Sequence, residues 1–503
     1  MKLKISSTAS SINPLVFYGS LFLVSISLFL SYFYKEEGNQ FFSDFQQAIY
    51  QQLGWFYIIS LNFIIFFMLF LAFGKYKHIK IGGAEATPEF SFFAWSAMLF
   101  SAGMGIGLLV FGVDEPINHF ANPPFANALS DEAARESMAY TFLHWGLHPW
   151  AIYALVGLCL AYFHFNKKLP LQIRSIFYPL LGDKIKGVFG DLIDLFAVIA
   201  TLFGLCTSLG YGVNQLTAGL NFLFELESNR LTDVILIMGI SIIACISVVL
   251  GVKKGIQRLS KLNVLIALTL LLIIFLFGSS IFILKNFIQN TGAYVSNFLE
   301  LSNWTATFEN EEWQNNWTIG YWGWWIAWSP FVGMFIARIS KGRTIKEFIL
   351  GVMLIPTIFV FFWMATLGGS GILEIMNGNQ ELLNSVKQES NQSLYIFLES
   401  LPWSELLQVI AIFLIASFFV TSSDSGSLVV DSLTANGQLE TPKKQQVFWA
   451  LLEGVIASVL IYSGGLLILQ TASVLAALPF CILLLIACYS LIKGLKEEVS
   501  IQS

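Results

Sequence analysis

Charge is scarce in this chain. Of its 503 residues 12% are Asp, Glu, Lys or Arg, against 56% hydrophobic, which excludes an ordinary soluble globular protein and points to one solvated by lipid. Cysteine is scarcer still. Cys159, Cys206, Cys245, Cys481 and Cys488 all fall inside apolar runs without a CxxC pair, so neither a disulfide framework nor a thiolate zinc site is expected. No Walker A signature occurs, which removes an ATP-driven pump built into these residues. A cleavable leader is not expected either, because the first apolar run is of spanning length and lacks a small-residue cleavage site. The net charge of −5 gives no basic excess, and nucleic acid is not an expected partner.

What is abundant is apolar sequence of spanning length. Twelve such runs are expected, from 14–34 at one end to 471–492 at the other, which defines an all-α polytopic membrane protein whose partner is the lipid bilayer. Basic residues test the count, since Lys and Arg accumulate in cytoplasmic loops. With the N-terminus inside, only Lys35, Arg135, Arg230, Lys285 and Lys387 of the 27 fall in outer segments. Both termini are therefore expected in the cytoplasm. The expected organisation is a tail at 1–13, two peripheral helices over 14–80, a first five-helix unit over 81–286, an outer amphipathic segment at 287–316, a second five-helix unit over 317–493, and a short tail at 494–503.

The second unit opens on an aromatic cluster. Trp317, Tyr321, Trp322, Trp324, Trp325 and Trp328 lie within twelve positions that carry no charge. On a helix, Trp324 and Trp328 stand one turn apart and Trp325 about 100° round, so three indoles line one arc. Such an arc can form an aromatic cage for a quaternary ammonium group at roughly 0.5–2 kcal/mol per contact. An interfacial Trp/Tyr belt is the competing reading. It is disfavoured because Trp328 lies about 16 Å along the helix from Trp317, near mid-depth.

Three other spans carry polar signals. The third contains Ser101, Ala102, Gly103, Met104, Gly105, Ile106 and Gly107, and alternating glycines in mid-membrane predict a broken helix whose freed backbone groups meet a ligand. Close small-residue helix packing would use the same glycines. The tenth has Phe418, Phe419, Val420, Thr421, Ser422, Ser423 and Asp424; its hydroxyls either bond back to their own helix or, with Asp424 marking an ion pathway, ligate a small hard cation. In the fourth, His144 and His148 are one turn apart, which raises a membrane haem redox protein as an alternative of another class. The other three histidines lie in loops or near span ends, so satisfied structural histidines beside Pro149 are preferred. Trp145 and Tyr153 on this span face the same way and can close the cage from a second helix.

The stretches GMGIGLLVFGVDEP at 103–116, HWGLHPWAIY at 144–153, WWIAWSPFVGMFIARISKGRTIKEF at 324–348 and FFVTSSDSGS at 418–427 together resemble the betaine/carnitine/choline transporter family, in order and spacing over nearly the whole chain. The resemblance implies a LeuT-type fold of two leading helices and a five-plus-five inverted repeat, assembled as a homotrimer in the bacterial inner membrane. A faint internal echo fits it, Ala94-Trp95-Ser96 against Ala327-Trp328-Ser329.

It implies further a substrate site of Trp145, Tyr153, Trp324, Trp325 and Trp328 with Gly103 and Gly105. A sodium site would use carbonyls near Ser101, Ala102, Met104 and Phe418 and the hydroxyls of Thr421 and Ser422. Gly107 stands where proton-coupled choline carriers of the family have Asp, and with Asp424 it is assigned to coupling and selectivity. The expected activity is Na⁺ symport of glycine betaine or a related onium osmolyte by alternating access, with Na⁺ as coupling ion, no organic cofactor and no enzymatic activity. The alternative is a proton-coupled or exchange carrier of choline, carnitine or dimethylsulfoniopropionate. Gly320 and Gly323 replace bulkier residues expected on the outer path, and the short final tail predicts transport without strong osmotic activation.

Overall fold

A computed structural model describes residues 12–103, 105–250, 253–388, 391–438 and 441–502, without the side chains of 35–39, 100–103, 248–250, 253–257 and 499–502. Helices α1 (Pro14–Phe33) and α2 (Lys35–Phe73) lead the chain. The third apolar run gives two helices, α3 (Phe92–Gly103) and α4 (Ile106–Ala121), and the fourth gives α5 (Asp131–Trp145) and α6 (Leu147–Ala161). Then come α7 (Val188–Phe224), α8 (Arg230–Leu250), α9 (Lys253–Phe277) and α10 (Ser280–Ser296). The aromatic helix α11 (Gly320–Ile339) and the long α12 (Ile345–Met376) follow. The chain ends in α13 (Ser404–Thr434), α14 (Lys443–Gly464) and α15 (Leu466–Gln502).

Local chemistry explains where these helices begin and break. Ser130 caps α5 by accepting from the Ala133 amide at 3.1 Å, with Asp131 and Glu132 in the first turn. A capping box starts α12: Thr344 Oγ1 accepts from the Glu347 amide at 3.1 Å, and the Glu347 carboxylate accepts from the Thr344 amide at 3.0 Å. Between α3 and α4 the chain is extended at Gly105 (φ −148°, ψ −172°), so the third run is not one continuous helix. The fourth run breaks at Gly146. A Cβ there would lie 2.5 Å from the Phe142 carbonyl oxygen and 2.8 Å from the Phe361 ring, so only glycine fits between α5 and α6.

Among the described residues the fold is helical with no named strand, and ten helical stretches, α5 and α6 counted together as one, are long and apolar enough to cross a membrane. Two of the twelve expected runs are not among those ten. The third is divided into α3 and α4, and the eighth, α11, is rich in Trp, Tyr and Gly, which score poorly on hydropathy. Burial ranks the helices from centre to rim: 89% of the apolar window of α7 is buried, against 28% for α1. α11 packs on α6, α7 and α15, and α4 on α5 and α12. The outer stretch before α11 is helical to Ser296 and again over Phe298–Asn303. Beyond it the rings of Trp304 and Trp313 pack on Tyr140, at 5.7 and 4.9 Å between centroids.

Candidate functional site

The 3.6-residue period of α11 brings Tyr321, Trp324, Trp325 and Trp328 onto adjoining positions of one side. The rings of Trp324 and Trp325 stack at 4.6 Å with 17° between planes. Trp145, the last residue of α5, stands nearly perpendicular to both, at 6.3 and 5.0 Å between centroids. These three, with Trp328 and with Tyr153 from α6, line one cavity of about 200 Å³. Gly105 and Gly107 line it from the α3–α4 break, and Thr421 and Ser422 from α13; none of the described lining residues carries a charge.

Hydrogen bonding fixes what these indoles can offer. Trp145 Nε1 donates to Glu115 Oε2 at 2.6 Å and Trp325 Nε1 to the His144 carbonyl at 2.9 Å. Trp324 Nε1 donates to Ser208 Oγ at 3.0 Å, while Trp328 Nε1 reaches both Ser208 Oγ at 2.8 Å and the Gly204 carbonyl at 2.9 Å. The N–H of each of these four indoles is therefore taken up by the protein. What faces the cavity is ring surface, whose negative π faces attract a cation that has no N–H to donate.

Gly107 is small for a spatial reason. A Cβ at that position would sit 2.7 Å from Trp145 Cη2 and 3.3 Å from Trp324 Cη2, so two cage rings close over this glycine. At Gly105 nothing lies within 4 Å of a Cβ position. Ser101, Ala102 and Gly103 form the last turn of α3, where backbone carbonyls lack intrahelical donors. Their side chains, and Met104 altogether, lie outside the described residues.

Across the cavity Thr421 Oγ1 donates to the Phe418 carbonyl at 3.1 Å. This is the bond back onto its own helix that the sequence allowed beside cation ligation, and Thr421 and Ser422 both line the cavity. Asp424 is 1% exposed, does not line the cavity, and leaves Oδ1 without a hydrogen-bond partner. Both carboxylate oxygens of Glu453, buried on α14, are likewise unpartnered.

His144 and His148 are hydrogen-bonded structural histidines, the reading preferred from the sequence, but His119 is not remote from His144. His144 and His148 do not converge: His144 bonds Glu115 Oε1 through Nδ1 at 2.8 Å and Thr318 Oγ1 through Nε2 at 3.0 Å, whereas His148 Nε2 meets Asn62 Oδ1 at 3.0 Å. His119, placed by sequence near a span end and apart from the others, has its ring 5.6 Å from that of His144 and its Nε2 3.3 Å from Glu115 Oε1. The atoms of Glu115, His119 and His144 lie within 4.8 Å of one another. Glu115 Oε1 is bonded to both rings, and the buried His119 Nδ1 has no hydrogen-bond partner.

Sequence reasoning missed Ser208, Glu115 and Trp150. Trp150 lines the cavity and packs on Tyr153 at 5.6 Å, and its i,i+3 spacing from Tyr153 was the available signal. Ser208 has no such signal, being one hydroxyl in an apolar run. Glu115 was visible only as a carboxylate beside a proline.

A second cavity of about 560 Å³ lies beyond Trp324, lined among others by Phe111, Asp114, Tyr211, Trp317 and Tyr321. Trp324 lines both cavities. The partition between them is aromatic, with Phe111 at 5.9 Å and Tyr211 at 5.1 Å from the Trp324 ring.

Residues 15–500 match the profile of the betaine/carnitine/choline family transporters. The chain is 44% identical to a glycine betaine transporter of Acinetobacter baylyi, over 99% of this chain and 76% of that protein. It is 42% identical to a glycine betaine/proline/choline transporter of Vibrio parahaemolyticus, over 99% and 92%, and 42% identical to a probable glycine betaine transporter of Desulfitobacterium hafniense, over 88% and 90%. The chain belongs to the betaine/carnitine/choline transporter family and is a multi-pass membrane transporter rather than an enzyme.

Proposed function

We propose that this protein imports glycine betaine or a closely related onium osmolyte by Na⁺ symport with alternating access. The observation that carries the reading is the state of the cage: Trp145, Trp324, Trp325 and Trp328 line one cavity whose described lining is uncharged, and the N–H of each of these four is bound to a protein acceptor. A trimethylammonium group fits such a surface because it needs no acceptor and is held by ring faces. Sodium would be held by Thr421, Ser422, the Phe418 carbonyl and the carbonyls ending α3. Its chemistry there is to neutralise the carboxylate of a zwitterion. The names of the relatives support a betaine-type substrate.

The same reading takes the chain as twelve crossings, α3 with α4 forming the third and α11 the eighth, in a five-plus-five inverted repeat after α1 and α2. Packing supports it. α4 meets α12 as α6 meets α11, equivalent contacts under a two-fold relation between the repeats, while α7 meets its counterpart α13 and α8 its counterpart α14. A homotrimer in the bacterial plasma membrane, with both termini cytoplasmic, completes the proposal.

A second reading, proton coupling on the same fold, rests on Asp424 and Glu453, buried carboxyl groups with unpartnered oxygens. The test of both is Trp fluorescence of the purified protein titrated with glycine betaine and with glycine, in NaCl and in KCl, repeated on Trp325→Leu. Saturation by betaine alone, dependent on Na⁺ and on Trp325, is expected. Betaine saturation indifferent to the cation favours the proton reading, and equal response to glycine contradicts the cage.

A further inference from the structure

Glu115 lies at the junction of the cage and the partition. It is wholly buried in α4, and its Oε2 accepts two bonds at once, from Trp145 Nε1 at 2.6 Å and from Tyr321 OH at 2.5 Å. Trp145 lines the smaller cavity and Tyr321 the larger. One carboxylate oxygen thus pins one aromatic residue on each side of the wall, the two rings 5.7 Å apart. Oε1 is held in turn by His144 Nδ1 and His119 Nε2, which compensate the buried carboxylate and fix its plane. The same His144 offers its backbone carbonyl to Trp325.

We propose that Glu115 is a positioning residue that couples the outer partition to the substrate cage. Resting on the onium reading of that cage, the assignment gives the carboxylate two tasks. It holds the Trp145 ring edge-on to the Trp324–Trp325 stack, and it keeps Tyr321 against Trp325, whose rings are 5.6 Å apart, so that the two cavities stay separate. Opening the larger cavity onto the cage then requires Tyr321 to leave Oε2. Because both donors share one oxygen, releasing Tyr321 alters the bond that orients Trp145, and the outer path cannot open without changing the cage. Trp324, anchored separately on Ser208, stays as the fixed wall.

The test measures glycine betaine binding in NaCl for the parent protein, Glu115→Gln, Tyr321→Phe and the double variant. It also measures the rate at which a membrane-impermeant thiol reagent, added on the side of the larger cavity, modifies Ser425→Cys in a background lacking the native cysteines. Ser425 lines the smaller cavity. The expected result is at least a tenfold weaker Kd for Glu115→Gln, a smaller loss for Tyr321→Phe, a double variant no worse than Glu115→Gln alone, and thiol modification at least tenfold faster in both single variants. Tyr321→Phe keeps the ring and removes one hydroxyl, so it tests the idea should Glu115→Gln not fold. Additive losses in the double variant, or unchanged thiol access in Tyr321→Phe, would overturn the proposal. Parent protein that fails to bind betaine would instead refute the onium reading, and the thiol arm would still report on the partition.

Discussion

Replacing Gly107 by alanine is the smallest change that tests the cage. The added methyl carbon would lie 2.7 Å from Trp145 Cη2 and 3.3 Å from Trp145 Cζ3 and Trp324 Cη2. Restoring an ordinary contact of about 3.5–4.0 Å requires the edge of the Trp145 indole to retreat by about 1 Å. The ring has little room to do so, tethered to Glu115 at 2.6 Å and packed on Phe111 at 5.8 Å and Trp325 at 5.0 Å between centroids. One or two ring–cation contacts worth roughly 0.5–2 kcal/mol each would be weakened. Betaine affinity should fall about tenfold, equivalent to about 1.4 kcal/mol. Global stability should change less, since alanine in place of helical glycine contributes about 0.5–1 kcal/mol against the crowding. Calorimetric titration in NaCl with a parallel thermal unfolding scan separates the two effects. A Kd within twofold of the parent, with the protein folded, would refute the assignment of these rings to the ligand. An aspartate at 107 carries the same Cβ, so the subtype difference expected there involves the shape of the cage as well as its charge.

Three further outcomes follow from the same geometry. Ser208→Ala removes the acceptor shared by Trp324 and Trp328; Trp328 keeps the Gly204 carbonyl and Trp324 loses its only assigned acceptor, so betaine Kd should rise by roughly 5- to 30-fold, as expected for an orphaned donor at about 1–2 kcal/mol. Thr421→Ala should raise the Na⁺ concentration for half-maximal uptake several-fold while leaving betaine binding at saturating Na⁺ near the parent value; an unchanged Na⁺ dependence would remove Thr421 from the cation site. Thr344→Ala breaks the capping box of α12 and should lower stability by about 1 kcal/mol without altering KM for betaine, as thermal unfolding and uptake kinetics would register.

The parts of this arrangement legible in the sequence are those written in local pattern. Apolar runs announced an all-helical membrane protein, and alternating glycines located the interruption between α3 and α4 because glycine weakens a helix wherever the chain lies. Trp324, Trp325 and Trp328 line one cavity as one helical period dictates. The unread parts depend on which distant groups meet. His119 and His144 are 25 residues apart with a loop between them, and nothing local says that their rings close on Glu115. Ser208 gains its role only because α7 passes close to α11, where a Cβ on Gly204 would approach Ala327 to 3.1 Å. The breaks at Gly105 and Gly146 also explain why continuous apolar runs do not translate one for one into continuous helices.

The central claim is coupled transport of an onium solute, and accumulation in proteoliposomes tests it most directly. With an inward Na⁺ gradient and no other driving force, labelled glycine betaine should rise inside above its external concentration and should not do so when K⁺ replaces Na⁺. Betaine that merely equilibrates, or that accumulates equally well in K⁺, would contradict Na⁺ symport through this site.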